Sequence, residues 1–292
     1  MAAEDVFRFD DTERDLRFRP VNNDTPTRLS PTQIETFNRQ GFLSPVPVLS
    51  VQEADELRDY MDWLVDEVVS ADDRRNSYSI NNYHTVCRGL HDLILNPTVV
   101  DYATDILGQK AVCWSTHAFC KLPGDGMEVP LHQDANYWPF TPTDSVTVWL
   151  AIDDVDDENA AMHFVPGSHQ RGPMDHDELP LDGSVVLNRR VEGHDGFRDR
   201  YVNELQAGWA SLHTDLLLHG SKANTSQRRR CAIAIRFVSA DVRAVAGGEG
   251  WIKGAVHVAE GDPSGYWPNA ERPSGEDPAR LARFTGGFDG NR

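Results

Sequence analysis

The chain has little cysteine, a shortage of positive charge and no long hydrophobic run, and each shortage removes a class of protein. Four cysteines in 292 residues (Cys87, Cys113, Cys120 and Cys231) are too few for a disulfide framework. None are spaced as CxxC, which argues against a zinc knuckle. Lys and Arg number 28 against 46 Asp and Glu, a net charge of −18, the wrong sign for a phosphate backbone. No stretch approaches the roughly 20 apolar residues that a membrane helix needs. The N-terminal MAAEDVFRFDDTERD carries acidic groups where an export signal carries basic ones. The expectation is a soluble, cytoplasmic protein in a reducing setting, acting on a small molecule and not on nucleic acid or membrane. Its oligomeric state is left open.

What is present suits one large domain. Apolar residues make up 39% of the chain, with seven Trp and twelve Phe, enough for a sizeable core. Residues 1–29 read as an irregular arm. Ser30-Pro31 is an N-cap followed by proline at the first helical position, with Ile34 and Phe37 as an apolar face and Gly41 as the stop. Ser50 and Glu53 have the spacing of a capping box, and Leu57, Met61, Leu64 and Val68 recur at helical period behind it. Asn96-Pro97 and Gly108 frame a third helix with Val99, Tyr102, Ala103 and Ile106 on its buried side.

After Gly108 short apolar segments alternate with turn residues: 111–122, 145–152, 161–165, 184–187, 209–218 and 231–238. They are strand-length and rich in Val, Ile, Trp and Phe, with strand-poor insertions at 169–183 and 188–206. Helices followed by many short strands predict a mainly β domain, a barrel or sandwich with a helical layer packed outside it. The stretch from Gly261 onwards, rich in Pro, Gly and charge, predicts a mobile tail or flap.

The chemistry concentrates at Leu131-His132-Gln133-Asp134. In an extended strand residues i and i+2 share a face, so His132 and Asp134 converge on one point. With a second imidazole on a facing strand they form the 2-His-1-carboxylate set that leaves coordination places open on a divalent metal. His219, at the end of Leu216-Leu217-Leu218, is the candidate. Arg228-Arg229-Arg230 leads into the apolar strand at Cys231; an arginine there that turns inward would fork onto a buried carboxylate, with a serine hydroxyl adding a hydrogen bond.

These residues stand in an ordered series: HQDANYW at 132–138, VWLAI at 148–152, NAAMHFVPGSH at 159–169 and HGSKANTSQRRR at 219–230. The series resembles the phytanoyl-CoA dioxygenase family of iron(II)- and 2-oxoglutarate-dependent oxygenases, in its small-molecule subgroup. The likeness runs from about residue 30 to 238. It implies a double-stranded β-helix (jelly-roll, cupin-like) core at 109–240, a mostly helical support at 30–108, and a C-terminal strand, flap and tail at 241–292, all one domain. It implies iron(II) on His132, Asp134 and His219, 2-oxoglutarate held by Arg230 and Ser221 beside Trp149 and His117, and O2 as oxidant. The product of such chemistry is a hydroxylated small molecule, succinate and CO2. Related halogenases carry Gly or Ala in place of the acid, so Asp134 favours hydroxylation.

Asn136, Tyr137 and Trp138 follow the acid directly and are candidates for the substrate wall, and Arg189, Arg190 and Arg200 lie in an insertion that loops over the core. The chain departs from the family at Gly208-Trp209, where Gly-Asp is common, and at Asn159-Ala160, where Asn-Gly is usual. The same triad serves desaturation, cyclisation and epimerisation. A cupin enzyme that does not use 2-oxoglutarate, and a non-catalytic binding protein on the same scaffold, also stay open.

Overall fold

Inner and outer strand positions of opposite character set the frame. A computed structural model describes residues 12–71, 75–180 and 182–279, and is mainly β with four α-helices among them. The strands are β1 (Phe42–Pro47), β2 (Lys110–Lys121), β3 (Val129–His132), β4 (Phe140–Thr141), β5 (Ser145–Ala151), β6 (Met162–Phe164) and β7 (His176–Glu178). They continue with β8 (Arg189–Val191), β9 (Tyr201–Asn203), β10 (Trp209–His213), β11 (His219–Ser221), β12 (Arg230–Ser239), β13 (Arg243–Ala244) and β14 (Val256–Ala259). Ten of them form two antiparallel sheets, a major one in the order β1-β10-β5-β12-β2-β14 and a minor one in the order β3-β11-β6-β9.

Both faces of the major sheet are covered. Val146, Val148 and Leu150 of β5 and Ile233, Ile235 and Phe237 of β12 pack outward into a cluster with the helices, among them Met61, Leu64 and Val68. Each fully buried aliphatic chain there contributes about 1.5–3 kcal/mol relative to exposure. The alternate positions, Trp149, Ala151, Ala232 and Ala234, face Met162 and Phe164 of the minor sheet. The cavity described below opens between these two layers.

The helices begin where the sequence predicts. Capping boxes close the first turns of α1 (Pro31–Gln40) on Ser30 and α2 (Val51–Val69) on Ser50, and Asn96 caps α4 (Pro97–Leu107). The buried residues match the expected stripes, except that Leu57 is half-buried. A further helix, α3 (Arg88–Ile94), has too short an apolar stripe to be read beforehand. Among the described residues no helix is long and apolar enough to cross a membrane.

Four expectations need correction. The run 209–218 is not one strand: β10 ends at His213, and Thr214 to Leu218 carry the chain from the major to the minor sheet, their three leucines fully buried in different clusters. The run 184–187 forms no strand, only a bridge from Val185 to Glu128. The insertions 169–183 and 188–206 contain β7, β8 and β9, too short and polar to show a period. The stretch from Gly261 is not loose as far as it is described: Trp267 is 1% exposed, and its indole Nε1 donates to the Val242 carbonyl at 3.1 Å.

Residues 12–29 form no helix or strand, as expected, but Leu16 and Leu29 are buried and Arg14 donates to the Ala135 and Trp138 carbonyls. Residues 1–11 and 280–292, the tip of the arm and the end of the tail, lie outside the described residues. One disulfide joins Cys120 to Cys231 across neighbouring strands, a pairing the cysteine count alone did not suggest; Cys87 and Cys113 are free and buried.

Candidate active site

Strand pairing brings the two histidines together. His219 of β11 stands directly opposite His132 of β3, and their ring centroids are 4.3 Å apart. Asp134 follows His132 in a short 3-10 turn (Asp134–Asn136), so its carboxylate folds back to 3.5 Å from His132 Nε2. Potential ligand atoms of His132, Asp134 and His219 lie within 4.8 Å of one another, and all three side chains are buried. Gln133, between two of them, is fully buried and donates to the Gly172 and Leu216 carbonyls, while Met174 N–H donates to its Oε1. It thereby pins the segment, a positioning role that no pattern in the sequence reveals.

Each imidazole is oriented through its other nitrogen. His132 Nδ1 lies 2.8 Å from the Pro130 carbonyl and His219 Nδ1 lies 2.9 Å from the Leu217 carbonyl. Carbonyls only accept, so both Nδ1 atoms carry the proton and both Nε2 lone pairs are free to bind a metal. Burial pushes the His219 imidazole down to about 4, which keeps it neutral. Burial alone would raise the Asp134 carboxyl, but His132, His219 and Arg236 beside it outweigh that and hold it below the usual range. Two imidazoles with free Nε2 atoms and an ionised carboxylate beside a cavity fit a divalent transition metal such as iron(II).

Arg230 lies further along the same cavity. Its Nη2 donates to Ser221 Oγ and its Nη1 to the Phe119 carbonyl, each at 3.3 Å, and the Trp149 ring lies 5.5 Å from the guanidinium carbon. It is 2% exposed, its Nε has no acceptor, and it has no carboxylate partner among the described residues. Burial lowers its pKa to about 10, which leaves it charged at neutral pH. A desolvated guanidinium without a counter-ion is costly unless an anion arrives, so these residues fit the distal carboxylate of 2-oxoglutarate.

His117, Trp149, Tyr137 and Trp138 also line the cavity. His117 Nε2 is tied to the Tyr78 carbonyl at 2.8 Å, and burial pushes it down to about 3. Asn136 is the exception among the predicted wall residues: its amide turns away to the Met174 carbonyl and the His176 ring, because the 3-10 turn points it outward. None of the insertion arginines reaches the cavity. Arg189 donates to the Asn136 carbonyl and lies over the Tyr137 ring, while Arg190 and Arg200 line a neighbouring pocket on the other side of Val129, Gly220 and Ser221. The arginine that does reach it, Arg236, shares strand parity with Arg230, a sign visible in the sequence but masked by the apolar run around it.

Comparison with known proteins identifies the family. The family model for phytanoyl-CoA dioxygenase matches residues 37–232. Peroxisomal phytanoyl-CoA dioxygenase of Bos taurus is 30% identical over 151 residues, half of this chain, although the chain spans only 44% of that enzyme's length. A methylphosphonate hydroxylase of Gimesia maris is 26% identical over 225 residues, covering 72% of this chain and 81% of the relative. Among solved structures, the nickel complex of the non-heme monooxygenase ThoJ superposes with a TM-score of 0.67 at 25% identity, covering 84% of this chain and 91% of that one. The chain belongs to the phytanoyl-CoA dioxygenase family of iron(II)- and 2-oxoglutarate-dependent oxygenases.

Proposed function

We propose that the chain is an iron(II)- and 2-oxoglutarate-dependent dioxygenase that hydroxylates a small molecule, built on the double-stranded β-helix of cupin-like oxygenases. One observation carries this reading: a complete two-histidine, one-carboxylate set and an unpaired buried arginine share one cavity. Bound iron(II), with 2-oxoglutarate and O2, supplies the oxidation that turns a substrate C–H into C–OH while succinate and CO2 leave.

The chain's own contribution is orientation, charge and exclusion of water. The Pro130 and Leu217 carbonyls fix the His132 and His219 rings through Nδ1, leaving each Nε2 to hold the metal when it is bound. Asp134 cancels one of the two metal charges and fills the place a halide would need, which favours hydroxylation. Arg230 and Ser221 clasp the distal carboxylate of 2-oxoglutarate, and Trp149 covers that end. His117 stands on the same wall, uncharged, with Phe119 4.1 Å from its ring. Tyr137 and Trp138 face the substrate. The methylphosphonate hydroxylase relative supports hydroxylation over the other outcomes of the triad.

The test is release of succinate by purified protein supplied with iron(II) and 2-oxoglutarate, across a panel of small molecules. His132→Ala is expected to abolish both metal binding and turnover. Arg230→Ala is expected to raise the 2-oxoglutarate concentration needed by at least about tenfold, the effect of losing a charge-assisted pair. Full succinate release by the first variant would exclude the metal assignment, and an unchanged 2-oxoglutarate requirement in the second would exclude the anchor.

A further inference from the structure

A row of polar side chains crosses the inner face of the major sheet beside the metal ligands. In register, Ser115 of β2 stands opposite Arg236 of β12, Arg236 opposite Thr147 of β5, and Thr147 opposite His213 of β10. All four line the cavity and are buried. The flanking inner residues on one side are Ala234, Trp149 and His117, so the row is a polar band on this face of the sheet.

The band is not internally satisfied. Arg236 is 8% exposed, yet its guanidinium makes no hydrogen bond or ion pair with any described residue, and its Nε is buried without an acceptor. Thr147 Oγ1 and His213 Nδ1 are likewise buried and unpartnered. What holds the guanidinium in place is aromatic: Trp138 lies 5.5 Å and Phe119 5.9 Å from its central carbon. A buried cation with free donors and a hydroxyl beside it is a site awaiting an oxyanion.

Charge and distance say which oxyanion. A divalent metal, Arg230 and Arg236 against the single carboxylate of Asp134 leave three positive charges in the cavity. The two carboxylates of 2-oxoglutarate remove two, and one remains. Six strand residues at about 3.3 Å each put the Arg230 and Arg236 backbones about 20 Å apart, and the guanidinium groups meet different parts of Phe119 between them, Arg230 its carbonyl and Arg236 its ring. Trp114, Tyr137 and Trp251 also line the cavity.

We propose that Arg236, with Thr147 and His213, holds the oxyanion of the organic substrate, a small acid bearing a carboxylate or phosphonate on an apolar or aromatic body. The inference rests on the reading of Arg230 as the 2-oxoglutarate anchor. It places the acid group next to the metal, with the body against the tryptophans and the C–H to be oxidised within reach.

The experiment uses full-length protein loaded with zinc(II) and 2-oxoglutarate, titrated calorimetrically with phenylacetate and phenylphosphonate, and with phenylacetamide as the neutral control. Both acids are expected to bind, each at least tenfold tighter than the amide. Arg236→Met is expected to lose at least tenfold of that affinity while binding 2-oxoglutarate within threefold of the parent. Arg236→Lys, which keeps the charge, is expected to recover part of the acid binding, and guards against a variant that fails to fold. Acids that bind no better than the amide would overturn the proposal, as would equal binding to the methionine variant. A loss of 2-oxoglutarate affinity in Arg236→Met as large as in Arg230→Met would also overturn it, by placing Arg236 on the co-substrate. If instead Arg230→Met leaves 2-oxoglutarate binding unchanged, the anchor reading fails, and acid titrations of the zinc-only protein still decide for or against Arg236.

Discussion

His219 stands directly opposite His132 across the β3–β11 pair, and the residue after it, Gly220, is what lets the two strands approach. A Cβ at Gly220 would lie 2.7 Å from the Val129 carbonyl oxygen and 3.1 Å from the Leu131 nitrogen, both backbone atoms that cannot swing aside. Gly220→Ala is therefore expected to push β11 from β3 and separate the ligand nitrogens. Titration of the variant with a divalent metal should show at least about tenfold weaker binding, since misplacing a ligand costs on the scale of a lost outer-shell contact. Metal affinity equal to the parent's would show that the strand spacing is not set there.

The pH response of stability has a separate origin in His84, which is fully buried and remote from the ligands in sequence. Its Nε2 faces the Gly254 carbonyl and its Nδ1 the Thr116 hydroxyl, each at 2.8 Å, so the neutral ring satisfies both. Burial lowers its pKa from 6.5 to about 4. Between those values the unfolded chain takes up a proton and the folded one does not, so this contribution is intact above pH 6.5 and is lost as pH falls through 4. The amount is at most about 3 kcal/mol. In His84→Gln, unfolding by urea at a series of pH values from 7 to 4.5 should show a shallower loss than in the parent. Parallel curves would remove His84 from the account.

Ala160 adopts φ 71°, the left-handed region that favours glycine, in the turn before β6. An alanine there costs about 1 kcal/mol more than a glycine, because its Cβ crowds the carbonyl. Ala160→Gly is expected to raise the urea midpoint by the equivalent of at most about 0.6 kcal/mol, the rest of the relief being offset by the freer unfolded chain. Metal affinity should not change, because the turn lies away from the ligands. A lowered midpoint would mean that the buried methyl group matters more than the backbone strain.

How much of this was legible in the residue order depends on the range of the force involved. Caps and stripes are local, so Ser30, Ser50 and Asn96 marked their helices and Met61, Leu64 and Val68 their buried side. The i, i+2 spacing of His132 and Asp134 and the ordered motifs through Arg230 picked out residues that the fold gathers in one cavity. Short strands such as His176–Glu178 and Tyr201–Asn203 were not legible, because three residues hold no period and their pairing partners are distant. The apolar run 209–218 misled for the opposite reason: a buried connection needs the same leucines as a strand does.

Residue order by itself thus determined which groups are available: two imidazoles, one carboxylate, a serine and an arginine at fixed intervals, in an acidic chain with few cysteines. Tertiary structure decided which of the remaining groups join them. It turned Asn136 away, kept Arg189, Arg190 and Arg200 out of the cavity, and brought Arg236, Thr147 and His213 into one row. The reason is register: the side that a strand residue faces, and the neighbour it meets there, are fixed by hydrogen bonds to chains far away in sequence.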